Sequence, residues 1–279
     1  MKSFENKVAA ITGAGSGIGR ALALELASQD CALSLSDVNE TGLAETAKLL
    51  AGAKAKVTIA KVDVSKLEQI SAWARQTVAD HGKVNLIFNN AGVAVAGTVD
   101  GLSYEDYEWI TGINFWGVVY GTKEFLPHLK ASGDGHVINI SSIFGLFSQP
   151  SQSAYNATKF AVRGFTESLR QELDLGGKGV SATCVHPGGI KTNIAKSART
   201  NASVRDITGG DPAKATADFE KMFRTTAQDA AKIILAGVRR DARRVLIGGD
   251  AHAADLMQRL LPTAYQKLVT RAVRAQARR

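Results

Sequence analysis

Short apolar runs take turns with longer stretches of helical period along this chain. Residues 8–12 (Val-Ala-Ala-Ile-Thr), 32–36, 56–62, 84–88, 136–140, 180–185 and 245–247 form the runs. Their lack of a period of two marks strands covered on both faces. Between them, residues 20–29, 41–50, 67–81, 104–130, 154–175 and 227–238 repeat apolar positions every three or four residues, as helices buried along one face do. On the 67–81 helix, Leu67, Ile70, Ala74, Thr77 and Val78 share the expected core face. The alternation predicts an α/β fold, a doubly wound Rossmann-type parallel sheet of about seven strands with helices on both faces.

The strand ends carry the residues that a core alone does not ask for. The first strand runs into Gly13-Ala14-Gly15-Ser16-Gly17-Ile18-Gly19 and then a helix. Glycines there allow a tight turn and bring backbone N–H groups to the positive end of a helix, which suits a pyrophosphate. The spacing is Thr12-Gly13-x-x-x-Gly17-x-Gly19 rather than G-x-G-x-x-G. Asp37 closes the second strand, 18 residues after Gly19. A carboxylate at that point can accept from both hydroxyls of an adenosine ribose and repels a 2′-phosphate. With a neutral Ser16 and Val38 rather than an arginine after the acid, NAD(H) is favoured over NADP(H). Asp37 could instead cap the next helix, a role Asn39 fills at least as well. Asp63, followed by Val64 and Ser65, is placed for an adenine amino group or for a turn. Asn89-Asn90-Ala91-Gly92 ends the fourth strand, its last two residues small enough for a cofactor to pass close to the backbone. Pro187 and Gly188 break the sixth strand and leave backbone groups for a nicotinamide carboxamide. His186, before a proline at a strand end, reads as structural rather than as a base.

Tyr155 and Lys159 lie four residues apart on a helix and therefore on one face. A phenol titrates near ~10 and is a poor proton carrier at neutral pH. An ammonium beside it favours the phenolate and is expected to pull that value down. Such a pair can exchange a proton with an alcohol oxygen. Ser142 ends the fifth strand 13 residues before Tyr155, and the Gly-, Ser-, Gln- and Pro-bearing loop between can fold it back beside the phenol. Phe144, Leu146 and Phe147 in that loop would wall an apolar pocket or pack beneath a lid. Asn114, between Ile113 and Phe115, is a mediocre helix former with a buried polar role or a core position satisfied by carbonyls.

Composition narrows the class. Hydrophobic residues make up 45% and charged ones 22%, as in soluble globular chains. No run of about 18 apolar residues is present, and the N-terminus lacks the apolar core of a signal peptide. Cys31 and Cys184 read as buried thiols rather than a disulfide, which implies a reducing, cytoplasmic setting. No Cys/His cluster has metal-ligand spacing. The net charge of +8 is concentrated at one end: from Arg239 to Arg279 ten Lys/Arg stand against three Asp, leaving the body near neutral. That argues against nucleic-acid binding by the whole chain and confines electrostatic surface contact to the tail.

Together the motifs resemble the short-chain dehydrogenase/reductase family from Lys7 to about Thr192: Thr12-Gly13-x-x-x-Gly17-x-Gly19, Asn89-Asn90-Ala91-Gly92, Asn114, Ser142, Tyr155-x-x-x-Lys159 and Pro187-Gly188. The resemblance implies a catalytic tetrad of Asn114, Ser142, Tyr155 and Lys159. It implies NAD(P) lying across the strand ends, against Gly13, Gly15, Ser16, Gly17, Ile18, Gly19, Asp37, Asp63, Val64, Asn90, Ala91, Gly92, Tyr155, Lys159, Pro187, Gly188, Ile190 and Thr192. Ser142, Phe144, Tyr155 and Gly189 would face a small-molecule substrate, a hydrophobic secondary alcohol or ketone exchanging a hydride with NAD(H), in a homodimer or homotetramer. Residues 1–250 would be the dinucleotide-binding and catalytic domain, with a substrate lid at about 193–225. Residues 251–279 would form a basic helical extension, broken at Pro262. Many tetrameric members stop soon after the last strand; the extension looks more like members acting on retinoids, steroids and other lipophilic alcohols, and puts the usual tetramer in doubt. An NADPH-dependent carbonyl reductase, a non-catalytic dinucleotide sensor or scaffold, and a membrane or nucleic-acid contact through the tail are the alternatives.

Overall fold

A computed structural model describes residues 1–177, 179–209 and 223–277. Seven strands, β1 (Val8–Thr12), β2 (Ala32–Asp37), β3 (Val57–Lys61), β4 (Leu86–Asn89), β5 (Gly135–Ile140), β6 (Val180–Pro187) and β7 (Arg244–Ile247), form one sheet. Their order is β7-β6-β5-β4-β1-β2-β3 with every pairing parallel. The order reverses between β1 and β4, and open sheets of this kind take ligands beyond the carboxyl ends of the strands at such a point.

The uniform apolar runs follow from the two layers. Successive residues point to opposite faces, so Ala9 and Ile11 join one core and Ala10 the other. One core packs α1 (Gly17–Ala27) and a late helix, Ala227–Arg239, on the sheet. The other packs α3 (Leu67–His81), the helix Gly117–Ala131 and the helix Ser153–Gly176. In chain order these stand beside α2 (Glu40–Leu49) and α4 (Tyr104–Thr111), so Gly117–Ala131 is α5 and Ser153–Gly176 is α6. A short α7 (Val204–Thr208) precedes α8 (Ala227–Arg239), and α9 (Gly249–Leu260) and α10 (Tyr265–Ala277) end the chain.

Three details depart from the pattern of the sequence. Leu67 is exposed, and the core face of α3 is filled by Trp73. Trp73 meets Phe125 edge-on at 4.9 Å and donates to Ser34 Oγ. The helix expected over 104–130 is interrupted by a π turn, Gly112–Trp116, that carries Asn114; such bulges re-aim side chains within a helix. Strand β6 continues through Pro187, because Gly188 N–H donates to Ile247 O and keeps that end paired with β7. In the lid region, Arg199–Thr200 pairs with Val95–Ala96, while residues 210–222 lie outside the described part. Cys31 and Cys184 are buried free thiols, both pushed up to about 12 by desolvation. Among the described residues no helix is long and apolar enough to cross a membrane.

Thr12 holds the switch point together. Its hydroxyl donates to Phe88 O and accepts from Asn90 N–H at 2.9 Å and Ala91 N–H at 3.0 Å. Thr12→Val keeps the shape but takes the hydroxyl partner from Ala91 N–H and leaves Asn90 N–H with Phe88 O alone, so stability should fall by about 2 kcal/mol and the melting temperature by about 4–8 °C. Thr12→Ser should restore most of it; a Val variant melting with the parent contradicts the account.

Candidate active site

The glycine-rich turn is built for close approach. Gly13 and Gly17 adopt φ of +66° and +52°, which residues with a Cβ rarely do. A Cβ on Gly19 would collide with Gly13 O and lie 2.7 Å from Asn90 Nδ2. Asn90 itself donates to Thr12 O and Gly13 O, so its amide shapes the turn. Ser16 precedes α1 with an exposed hydroxyl that caps nothing. The first N–H groups of α1, at Gly17, Ile18 and Gly19, thus face the crevice without helical partners. Arg20, which the sequence did not single out, braces the turn: its guanidinium reaches Gly15 O, Gly42 O, Thr46 Oγ1 and Glu45.

Asp37 stands at the mouth of this turn, accepting from Gly15 N–H at 2.8 Å and Asn39 N–H at 2.9 Å. Asn39, not Asp37, caps α2 through Gly42 N–H. Asp63 takes the turn role, with Ser65 N–H and Oγ both on Oδ1. Val64 is buried, its side chain against Gly117. On the far side, Thr192 packs its methyl toward Gly17, so the Pro187–Thr192 segment closes over the glycine turn. The backbone groups expected to be free there are partly used: Gly188 N–H meets Ile247 O and Gly189 N–H meets Asp250 Oδ2. Ile190 is buried and pairs with Thr225, and Gly189 lies against Phe223.

Asn114, Ser142, Tyr155 and Lys159 come together at the carboxyl ends of β4 and β5. The buried face of α6 carries Tyr155, Thr158, Lys159 and Val162. Ser142 Oγ accepts from Phe144 N–H, and its hydroxyl lies close enough to the Tyr155 phenol to oppose the rise in the phenol's pKa. Lys159 Nζ donates to Ile140 O at 3.1 Å and lies 5.6 Å from the Tyr155 ring centre. Ser141 Oγ fixes the Lys159 main chain. Asn114 is wholly buried, accepting from Val93 N–H and donating to Val93 O and Thr158 Oγ1. A Cβ on Gly92 would lie 3.3 Å from Asn114 Oδ1 and 3.5 Å from Lys159 Nζ, so Gly92 stands in contact range of both groups. Thr158 was missed as a site residue because its partner Asn114 is remote in sequence, while His186 takes the structural place expected of it. His186 Nδ1–H donates to Ser142 O at 2.8 Å, and burial drives its pKa down to about 4, so it is a neutral brace.

The electrostatics differ from expectation. Burial pushes the Tyr155 phenol up to about 12, against a smaller opposing effect of the Ser142 hydroxyl. Burial also pushes the Lys159 ammonium down to about 8. Desolvation sets the direction of both shifts, so the phenol stands above its ordinary value rather than below it. Phe144 is buried against Tyr155, with ring centres 6.1 Å apart. A cleft of about 600 Å³ beside Gly97–Val99 and Ser148–Ser153 lies elsewhere, lined by Asn156, Ala157 and Phe160 of α6 but by none of the four.

A sequence profile described as short chain dehydrogenase matches residues 7–203. A Mycobacterium tuberculosis protein named as an oxidoreductase, SadH, is 50% identical over 275 residues, covering 98% of this chain and 97% of its own. Estradiol 17-beta-dehydrogenase 11 of Macaca fascicularis is 36% identical over 201 residues, 72% of this chain and 67% of that relative. A short chain dehydrogenase/reductase from Burkholderia phymatum, solved in complex with NAD, superposes with a TM-score of 0.85 at 32% identity, covering 95% of this chain and 97% of that one. With its seven-stranded parallel sheet and a profile match over most of its length, this chain belongs to the short-chain dehydrogenase/reductase family of oxidoreductases.

Proposed function

We propose that the protein transfers a hydride between NAD(H) and a secondary alcohol or ketone with an apolar body. One observation carries the reading: a buried phenol beside a serine hydroxyl, with a buried amine 5.6 Å from its ring centre, at the carboxyl end of a doubly wound sheet. The residues present fit a dinucleotide, since the turn at Gly13–Gly19 is shaped by clearances that a Cβ would fill. Its pyrophosphate would sit on the N–H groups opening α1, its adenosine ribose at Asp37, and its far end beside Ala91, Gly92 and the Pro187–Thr192 segment. A bound nicotinamide supplies the hydride donor or acceptor.

The chain's own part is proton transfer and orientation. Ser142 would hold the substrate oxygen, and Tyr155 would take its proton in oxidation or give one in reduction. Lys159 spends one N–H on Ile140 O, and an ammonium has three, so two remain for a ribose hydroxyl and for electrostatic support of the phenolate. A water held at Asn114 would relay protons to Lys159. Phe144 and Phe147 would give the substrate side an apolar wall. The Asp37 carboxylate beside Gly15 favours NAD(H) over an NADPH-dependent reduction, and a sensor without catalysis has no use for the buried amine. The full complex would be a homodimer or homotetramer.

A panel of secondary alcohols and ketones, followed by absorbance of the reduced nicotinamide, should give turnover faster with NAD(H) than with NADP(H). Tyr155→Phe should cut it by about 10²–10⁴-fold while leaving cofactor binding intact. Near-parental turnover by the Phe variant contradicts the assignment.

The buried amine has a stability cost with a defined pH range. Folded Lys159 titrates near about 8, against ~10.4 when unfolded. Below pH about 8 the folded chain must keep an ammonium out of water; from there to ~10.4 only the unfolded chain stays protonated, and the penalty fades. Lys159→Met should therefore raise the cofactor-free melting temperature at pH 7 by a few degrees, a gain that shrinks as pH rises past 8. A Met variant less stable than the parent at pH 7 opposes this.

The tail has its own reading. Leu256, Leu260, Leu261 and Leu268 are exposed beside Arg259, Lys267, Arg271 and Arg274, the composition of a helix lying on an anionic lipid surface. Co-sedimentation with phosphatidylserine vesicles should exceed that with neutral ones and weaken as salt rises; equal or absent binding removes the reading.

A further inference from the structure

We infer that Tyr265, in the C-terminal extension, is a positioning residue that fixes the apolar wall beside Tyr155 and so selects among substrate bodies; this rests on the reading of the site given above. Four aromatic rings run from the extension to the phenol. Tyr265 meets Phe147 edge-on at 6.1 Å, Phe147 meets Phe144 at 5.4 Å, and Phe144 meets Tyr155 at 6.1 Å. Tyr265 is 5% exposed although the residues around it on α10 face solvent. Its hydroxyl accepts from Ser148 N–H at 3.1 Å.

The bond matters because of where Ser148 lies. The loop from Ile143 to Gln152 joins Ser142 at one end to the start of α6, and hence Tyr155, at the other. Its first turn is held locally: Gly145 N–H donates to Ser142 O, and Leu146 and Phe147 N–H both donate to Ile143 O. At Ser148 the N–H leaves the loop and pairs with the extension instead. Helix α9 packs on the Ile143–Gly145 turn, and α10 packs on α7 of the lid region. The extension therefore grips both halves of the wall and ties it to the lid. Two rings separate Tyr265 from the phenol, so it touches no reacting atom. Its loss would free Phe147 and Phe144 to shift, changing the room beside Tyr155 without altering the proton-transferring groups.

The test compares the parent with Tyr265→Phe, which keeps the ring and loses the hydroxyl, and Tyr265→Ala. Two readouts are taken: the ratio of kcat/KM for a bulky aryl or branched ketone over a small linear one, and hydrogen exchange of the 144–152 segment in cofactor-free protein. The ratio should change on the order of tenfold in the Ala variant and less in the Phe variant, carried by KM, with NADH affinity unchanged. Exchange at Ser148 should accelerate in both. An unchanged ratio in both variants, or an equal loss of rate on every substrate, overturns the inference, as does unaltered exchange. Should Tyr265→Ala fail to fold, the Phe variant decides on the same criteria. A parent enzyme that turns over no ketone or alcohol defeats the functional reading instead, and the exchange measurement then still shows whether Tyr265 holds the loop.

Discussion

A phenol and an amine buried in one dry crevice cannot keep their solution acidities, and the structure around α6 is arranged to hold them there regardless. Each is pushed toward its neutral form, Tyr155 upward and Lys159 downward. What steadies them is a set of neutral partners rather than counter-charges. Lys159 Nζ donates to Ile140 O, Ser141 Oγ donates to Lys159 O, and the Ser142 hydroxyl lies beside the phenol. Gly145 permits this packing, because a Cβ there would strike Ser141 Oγ and lie 2.7 Å from Lys159 O. No carboxylate touches either group among the described hydrogen bonds and ion pairs. A salt-bridged lysine would stay charged but be unable to lend that charge elsewhere. An amine satisfied by one carbonyl has its remaining donors and its charge available when a negative oxygen forms nearby.

The parallel sheet of about seven strands, helices on both faces and most helix limits could be read from hydrophobic pattern, since strands with two buried faces leave little ambiguity. The 67–81 helix was legible to the residue, and Ile70, Ala74 and Thr77 of its expected core face are buried. Leu67 is exposed, and Trp73, which the period did not single out, is buried with its indole donating to Ser34 Oγ. The same limit governed the site. Residues at strand ends announced themselves by type, as with Asp37, Gly92 and Ser142. Thr158, Arg20 and Tyr265 did not, because each acts through a partner at long sequence distance or through a main-chain atom. The direction of the Tyr155 shift was misjudged for a related reason. An i,i+4 spacing reveals which charge is near, whereas desolvation depends on the surrounding packing.

The hydrogen-bond inventory at Ser142 shows why the loop that carries it matters to the proposed chemistry. A hydroxyl has one proton to give and two lone pairs to fill. Phe144 N–H occupies one lone pair. If the protonated Tyr155 donates to the other, the serine's own proton must point outward, toward a substrate carbonyl oxygen. If Tyr155 is a phenolate, the serine can give that proton to it and accept from an alcohol instead. Ser142 can therefore reverse its polarity with the direction of reaction without moving a heavy atom, provided its frame stays rigid. His186 fixes that frame from below through Ser142 O, and the 143–148 turn fixes it from above through Phe144 N–H. A histidine held neutral by burial is suited to the first task, since a protonated ring at the same place would add a positive charge beside the amine and bias the serine toward one direction only.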